Sequence, residues 1–274
     1  MIASSAGRPL APGPESPMGK SVELMDSKPP CGHARCRGFA PLRLVLLDLD
    51  DTLCDYSSAR DRRLRAAFTN GNEPGSDHRL GDDLDRMVAA SIAANPHGVE
   101  HFPRLFEEFG TTDPMRAEQA AEWYRRNRFF GLRLFPESLS VIAWLRSCDS
   151  PPLRIGVVTN GPAEIQRTKA MTLGIDRLVD FVLVSGQFGS EKPDRAIFDE
   201  ALRLGGAPPE RAIMVGDSLE HDMAGAQAAG ITAVWINRSE YPNIPVVPKP
   251  DFVVQRLREL PDVLLRAGEM NAQC

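Results

Sequence analysis

Four short segments of the chain carry acidic, basic and hydroxyl side chains of the types that phosphoryl transfer needs. They are Asp48-Leu49-Asp50-Asp51-Thr52, Val158-Thr159-Asn160-Gly161, Lys192-Pro193, and Gly216-Asp217 followed by Asp222. A phosphate monoester is nearly a dianion at neutral pH and repels a carboxylate nucleophile. Attack therefore needs a bridging cation, further positive charge on the phosphoryl oxygens and an acid for the leaving oxygen. The four segments together contain groups for all of these parts.

The carboxylates divide into separate chemical roles. Asp48 can be the nucleophile, and Asp50 can act as the acid and the base. Asp217 can add an oxygen ligand for a hard cation. Oxygen-only ligands suit Mg²⁺, which keeps several waters and binds through a few carboxylates plus the substrate phosphate. Magnesium is therefore the predicted cofactor.

The basic and hydroxyl residues predict a clamp for the phosphate. Lys192 supplies a compact positive charge beside a rigid proline turn, and Thr159 offers a hydroxyl. The amides of Asn160 and Gly161 could point at an anion, because glycine permits tight turns and close backbone approach. Each segment alone is also compatible with an ordinary turn, a helix cap or a surface lysine. Their joint occurrence favours the chemistry.

Buried strands are expected to position three of these segments. The runs 42–47, 153–158 and 211–215 are largely apolar, rich in aliphatic residues, and end in polar residues. Such runs are typical of strands buried on both faces of a parallel sheet. In open parallel sheets, ligands bind outside the carboxyl ends of the strands, so the polar clusters are predicted to meet at that edge.

The order and spacing of the motifs resemble those of the haloacid dehalogenase superfamily, specifically its phosphatase branch with a helical cap inserted after the first motif. The resemblance covers residues 41 to about 267. It implies that Asp48 forms an aspartyl-phosphate and that Asp50 donates and later removes a proton. It also implies that Thr159 and Lys192 bind the phosphate, and Asn160 is predicted to bind it from the same turn as Thr159.

The same resemblance implies a ligand set for Mg²⁺. The metal would be held by the Asp48 side chain, the Asp50 backbone carbonyl and Asp217. Asp222 would stand outside the ligands, as a partner of the metal's waters or of Lys192.

Asp50 also separates the branches of the superfamily. Dehalogenases of the family lack a second Asp at this site and bind no magnesium, so the resemblance favours phosphoester hydrolysis. Phosphomutases share the whole motif set, which leaves transfer of phosphate within a sugar open as an alternative. A non-catalytic regulatory protein that kept the fold is a second alternative.

The elements between the motifs predict a core and an inserted cap. Strands alternating with helices predict an α/β fold with a doubly wound, Rossmann-like parallel sheet, for which the resemblance implies the strand order 3-2-1-4-5. Helical periodicity and turns rich in Gly, Asn and Pro predict four cap helices near 57–69, 77–94, 99–109 and 114–130. The predicted divisions are a flexible extension (1–40), a catalytic core (41–54 and 134–267), a cap (55–133) and a C-terminal tail (268–274).

Composition limits the partners and the location. The formal net charge of −5 over 274 residues argues against general binding to nucleic acid or anionic membranes, so a small phosphorylated metabolite is the expected partner. No apolar stretch approaches a membrane span and the N-terminus does not resemble a signal peptide, which predicts a cytoplasmic protein. Arg60, Arg62, Arg63 and Arg65 are expected on a solvated helix face, with attraction of an anionic substrate as the alternative. Nothing in the sequence decides the oligomeric state.

Overall fold

Six parallel strands form the centre of the protein. The computed structural model describes residues 42–69, 81–94, 98–111, 113–148, 153–238 and 247–271, so the predicted N-terminal extension (1–40) lies outside the described residues. The strands are β1 (Leu44–Leu47), β2 (Arg154–Thr159), β3 (Phe181–Val184), β4 (Ala212–Gly216), β5 (Thr232–Ile236) and β6 (Phe252–Val254). Their order is β3-β2-β1-β4-β5-β6, which confirms the predicted order and adds β6 at the β5 edge.

The central strand β1 is buried on both faces, which explains its continuous apolar run. Val45 and Leu47 point into one hydrophobic cluster, whereas Leu44 and Leu46 point into a second cluster on the other side of the sheet. Successive side chains of a strand point to opposite faces of the sheet. Because helices cover both faces here, the residues on each face are buried and apolar.

In the part of the predicted cap that the structure describes, between β1 and β2, the chain forms four helices. They are α1 (Tyr56–Phe68), α2 (Gly81–Ala94), α3 (Phe102–Glu108) and α4 (Pro114–Arg126). They enclose a hydrophobic cluster of their own, centred on Phe68, whose ring centroid lies 5.0 Å from that of Phe102 and 5.5 Å from that of Phe106. Cys54 and Leu134 pair in an antiparallel bridge, and the predicted cap (55–133) is the stretch of chain between these two residues.

One expectation about the cap is wrong. Arg63 does not lie on a solvated face of α1 but is buried, because it donates hydrogen bonds to the backbone carbonyl of Arg128 and, at 2.6 Å, to the Tyr124 hydroxyl. Its guanidinium carbon lies 4.3 Å from the centroid of the Tyr124 ring. Arg63 therefore holds α1, α4 and the segment after α4 together.

The remaining helices cover the two faces of the sheet. They are α5 (Ser138–Arg146), α6 (Ala163–Thr172), α7 (Ser185–Phe188), α8 (Arg195–Gly205), α9 (Ala224–Ala228) and α10 (Leu260–Asn271). Buried residues of α5, α6 and α10 join the cluster on one face, and those of α8 and α9 join the cluster on the other. The doubly wound α/β fold is thereby confirmed.

Two local features were not predicted from the sequence. The helix before Ala229 begins with a π-helical turn, Leu219–Met223, which carries Asp222. The last helix, α10, ends at Asn271, inside the predicted C-terminal tail (268–274). Within the described ranges, every helix is too short or too polar to cross a membrane.

Candidate active site

Asp48 and Lys192 meet at the carboxyl edge of the sheet. Asp48 directly follows β1, and its backbone amide donates to the carbonyl of Val215 on β4. Lys192 is buried, and its Nζ donates to Asp48 Oδ1 at 2.6 Å, Asp222 Oδ1 at 2.6 Å and the Val158 carbonyl at 2.9 Å. Three acceptors match the three protons of an ammonium group, so the lysine charge is fully hydrogen-bonded at this edge.

Asp222 is held against the end of β4. Its Oδ2 accepts a hydrogen bond from the Ser218 amide at 3.0 Å. A Cβ added to Gly216 would lie 2.2 Å from the same oxygen, so only glycine leaves room for this carboxylate. The neighbouring Asp217 is fixed through its backbone carbonyl, which accepts from the indole Nε1 of Trp235 at 2.8 Å.

The three carboxylates form a cluster suited to a metal ion. One ligand oxygen each from Asp48, Asp217 and Asp222 lies within 4.8 Å of the others. Burial raises the pKa of Asp48 well above its usual range, and the neighbouring carboxylates add to this effect while Lys192 opposes it. Burial, followed by repulsion from Asp222, raises the pKa of Asp217 to about 7.

Charge balance indicates what the cluster can hold. With all three carboxylates ionised and Lys192 as the only cation bonded to them among the described residues, two negative charges stay uncompensated. A divalent cation would neutralise them, and an oxygen-only donor set fits Mg²⁺. The residues present therefore fit the predicted cofactor.

Asp50 lies near this cluster, but its carboxylate is bonded to a different lysine. Both Asp50 oxygens accept from Nζ of Lys169 at 2.6 Å, and Oδ2 lies 3.2 Å from Nε2 of Gln166. The buried thiol of Cys54 also lies 3.6 Å from Asp50 Oδ1. Burial raises the pKa of Cys54, which keeps it a thiol and agrees with a packing role.

Thr159 is the last residue of β2 and is buried. Its hydroxyl oxygen accepts from Gln166 Nε2 at 2.8 Å, so the hydroxyl proton is available to an anion. The side chain of Asn160 donates to the Lys192 carbonyl at 2.8 Å and accepts from the Lys192 amide at 2.9 Å. Asn160 thus positions the loop that carries Lys192.

One predicted anion contact is not made. The Gly161 amide donates to Ser185 Oγ at 2.9 Å, instead of being free to meet an anion. Gly161 has a φ of 135°, which favours glycine and turns this amide towards α7. The backbone of this turn therefore links β2 to the element after β3.

Sequence reasoning missed Gln166 and Lys169. They lie three residues apart on α6, the helix that begins just after Thr159-Asn160-Gly161. Residues three apart share one face of a helix, and the first turns of a helix that follows a strand lie beside the carboxyl edge of the sheet. Reading α6 as a helix face could have indicated both residues.

Asp51 and Arg238 were also missed. Asp51 has a φ of 56°, and its carboxylate accepts from the Ser57 amide at 2.8 Å and the Ser57 hydroxyl at 2.6 Å. Arg238, just after β5, donates to the carbonyls of Asp51 at 3.2 Å and Thr52 at 3.1 Å. These contacts fix the loop that follows Asp48 and Asp50.

Comparison with known proteins shows the family of the chain. Residues 42–230 match the model of the haloacid dehalogenase-like hydrolases. The chain belongs to this family. A glyceraldehyde 3-phosphate phosphatase from Methanopyrus kandleri is 34% identical over 81% of this chain and 97% of that protein. A phosphoserine phosphatase from Thermus thermophilus is 36% identical over 64% of this chain and 68% of that protein.

Solved structures of haloacid dehalogenase-like proteins share the fold. The structure of the HAD-hydrolase YfnB from Bacillus subtilis, bound to magnesium, is 24% identical, with a TM-score of 0.62 and coverage of 81% of this chain and 98% of that chain. A HAD phosphatase from Thermococcus onnurineus is 25% identical, with a TM-score of 0.55 and the same coverage of both chains.

Proposed function

We propose that this haloacid dehalogenase-like protein hydrolyses a small-molecule phosphomonoester, with Mg²⁺, through an aspartyl-phosphate on Asp48. The observation that carries the proposal is the meeting of Asp48, Lys192, Asp217 and Asp222 at the carboxyl edge of the sheet. A nucleophilic carboxylate, a buried cation and a donor set for a hard metal are together what a dianionic ester requires.

The first half-reaction forms a bond between Asp48 and phosphorus and breaks the bond to the leaving oxygen. Asp50 gives its proton to that oxygen, so that an alcohol departs. The positive charge of Lys192 attracts the phosphoryl oxygens, and the Thr159 hydroxyl can donate to one of them. Mg²⁺, held by the Asp48 carboxylate, the Asp50 carbonyl and Asp217, would supply charge that offsets the repulsion between ester and nucleophile.

The second half-reaction releases phosphate. Water attacks phosphorus, the bond to the Asp48 oxygen breaks, and Asp50 takes the proton that the water loses. Asp48 and the protonated Asp50 are then ready for another cycle. Asp222 stays hydrogen-bonded to Lys192 and keeps the ammonium oriented towards Asp48.

The leaving group is proposed to lie between the core and the segment that follows α4. A cavity of about 630 Å³ opens there, between residues 125–130 on one side and Pro162, Glu164, Ile165 and Thr168 on the other. Its arginines favour an anionic or polyhydroxylated metabolite. The relatives named above act on glyceraldehyde 3-phosphate and phosphoserine, which are small esters of this kind.

The test is phosphate release from glyceraldehyde 3-phosphate, phosphoserine, further sugar phosphates, nucleotides and 4-nitrophenyl phosphate, with Mg²⁺ and with EDTA. We expect Mg²⁺-dependent release that Asp48→Asn lowers by at least about a thousandfold, because the nucleophile is lost. Asp176→Asn is the matched control, since Asp176 is exposed in a turn after α6.

Other outcomes would overturn the proposal. Isomerisation of a sugar phosphate that needs a bisphosphate activator would indicate a phosphomutase. No release of phosphate by the wild type from any of these esters would favour a non-catalytic role.

A further inference from the structure

Lys169 is a buried cation whose role the reaction described above does not include. It lies on α6 with 2% of its surface exposed, and its Nζ is 2.6 Å from each carboxylate oxygen of Asp50. The same Nζ lies 4.1 Å from the ring centroid of Tyr56, the first residue of α1. The ammonium group is thus enclosed between the proposed acid and the beginning of the cap.

Gln166 reinforces this arrangement from one turn earlier on α6. Its Nε2 lies 3.2 Å from Asp50 Oδ2, 2.8 Å from Thr159 Oγ1 and 2.7 Å from the Asn160 carbonyl. The Asp50 side chain is consequently restrained from one side by two groups of the same helix. Lys192 is bonded to Asp48 and Asp222, so the two lysines restrain different carboxylates.

A purely structural role explains this arrangement poorly. Lys169 is buried against the half-buried Asp50, which removes much of this charge pair from water, and buried pairs are often no more stabilising than apolar residues of the same volume. Leucine or methionine at position 169 would fill the space beside Tyr56 without that desolvation. Stability therefore does not explain why Lys169 is paired with Asp50. The proposed role of Asp50 as the acid suggests a functional explanation.

We propose that Lys169 is a positioning residue that orients the Asp50 carboxyl group for proton transfer to the leaving oxygen. Nζ of Lys169 lies 2.6 Å from both Asp50 oxygens, and this contact fixes the orientation of the carboxyl group relative to α6. In this role Lys169 transfers no proton itself, and Asp50 is the group that exchanges a proton with the alcohol or with water. This inference rests on the proposed phosphatase function.

The test uses leaving groups that differ in their need for an acid. Nitrophenolate departs without a proton, phenolate benefits from one, and an alkoxide requires one. The substrates are 4-nitrophenyl phosphate, phenyl phosphate and the alkyl ester that the wild type hydrolyses fastest. The quantity compared is kcat/KM, which covers only the steps through departure of the leaving group.

For Lys169→Met we expect kcat/KM to fall about 100-fold with the alkyl ester and less than about 5-fold with 4-nitrophenyl phosphate, with phenyl phosphate in between. The ratio between substrates does not depend on the fraction of folded enzyme. Lys169→Arg keeps a cation beside Asp50. It should therefore bring the ratio of kcat/KM for the alkyl ester to kcat/KM for 4-nitrophenyl phosphate part of the way back to the wild-type value. Arg167→Met is the control, because Arg167 is exposed on the same helix and bonds Gln187 Oε1.

A double-mutant cycle separates positioning from packing. In the Asp50→Asn background, Lys169→Met should have no further effect on the ratio, because the group that it orients is no longer an acid. Equal losses with all three substrates, or loss of all activity in Lys169→Met, would overturn the inference and leave Lys169 a structural role. If the wild type hydrolyses none of the esters, it is instead the proposed function that fails.

Discussion

Lys192 is the residue on which the charge balance of the site depends. Burial by itself lowers the pKa of Lys192, but the carboxylates of Asp222 and Asp48 outweigh that effect and raise it. The lysine therefore stays charged. Removing the cation would leave two carboxylates facing each other in a buried site, which is costlier than removing a solvated pair.

We expect Lys192→Met to lower the free energy of unfolding by about 3–5 kcal/mol, as when one partner of a buried ion pair is lost. Urea denaturation in EDTA measures this effect. Adding Asp222→Asn should recover part of the loss, because one of the unpaired charges is removed. Lys249→Met, at an exposed position, is the control. If Lys192→Met were as stable as the wild type, the ion pairs of Lys192 with Asp48 and Asp222 would not be desolvated in the folded protein.

At the scale of single elements, the loop between β1 and α1 combines chemistry with support for the cap. Asp51 adopts a left-handed conformation and bonds the Ser57 amide and hydroxyl in the first turn of α1. Non-glycine residues pay a conformational cost there, which aspartate and asparagine bear best. The loop that follows Asp48, the proposed nucleophile, thus also fixes the start of the predicted cap.

We expect Asp51→Ala to destabilise this region by about 2 kcal/mol, through backbone strain and loss of the bonds to Ser57. Asp51→Asn should cost less than half as much, because asparagine tolerates the same backbone conformation and keeps one acceptor. Hydrogen exchange of the amides in α1 measures the change directly. Equal exchange in the two variants would contradict the proposed support.

On the scale of the whole molecule, the acidic cluster links stability to pH and to the metal. The pKa of Asp217 is raised from its usual 3.8 to about 7, with burial as the main cause. Between these values the folded protein binds more protons than the unfolded chain, so stability without metal falls as pH rises through this window. A metal ion bound to the deprotonated carboxylates, as proposed, would oppose this loss.

We therefore expect the melting temperature in EDTA to fall as pH rises from about 5 to about 8, and millimolar Mg²⁺ to raise it more at the higher pH. Thermal melts of the wild type and Asp217→Asn measure both effects. The melting temperature of Asp217→Asn should depend less on pH, and Mg²⁺ should raise it less, than in the wild type. A response to Mg²⁺ that is independent of pH would contradict the assignment of Asp217 to the metal site.

The order of the strands was implied by the resemblance to the superfamily. The patterns of the sequence were sufficient to predict the α/β fold, five of the six described strands and the meeting of Asp48, Lys192, Asp217 and Asp222. These features follow from local patterns: apolar runs mark buried strands, and the carboxyl ends of parallel strands share one edge. The short strand β6 was missed because three residues are too few for a periodic pattern.

Contacts between distant parts of the chain were decided only by the tertiary structure. Lys169 reaches Asp50 across 119 residues, the Gly161 amide turns to Ser185, and Arg63 is buried within the cap. A charged side chain or an amide has the same local sequence signature whether it faces water, a ligand or another buried group. Its partner depends on how separate helices pack, because long-range packing, and not local propensity, selects among those environments.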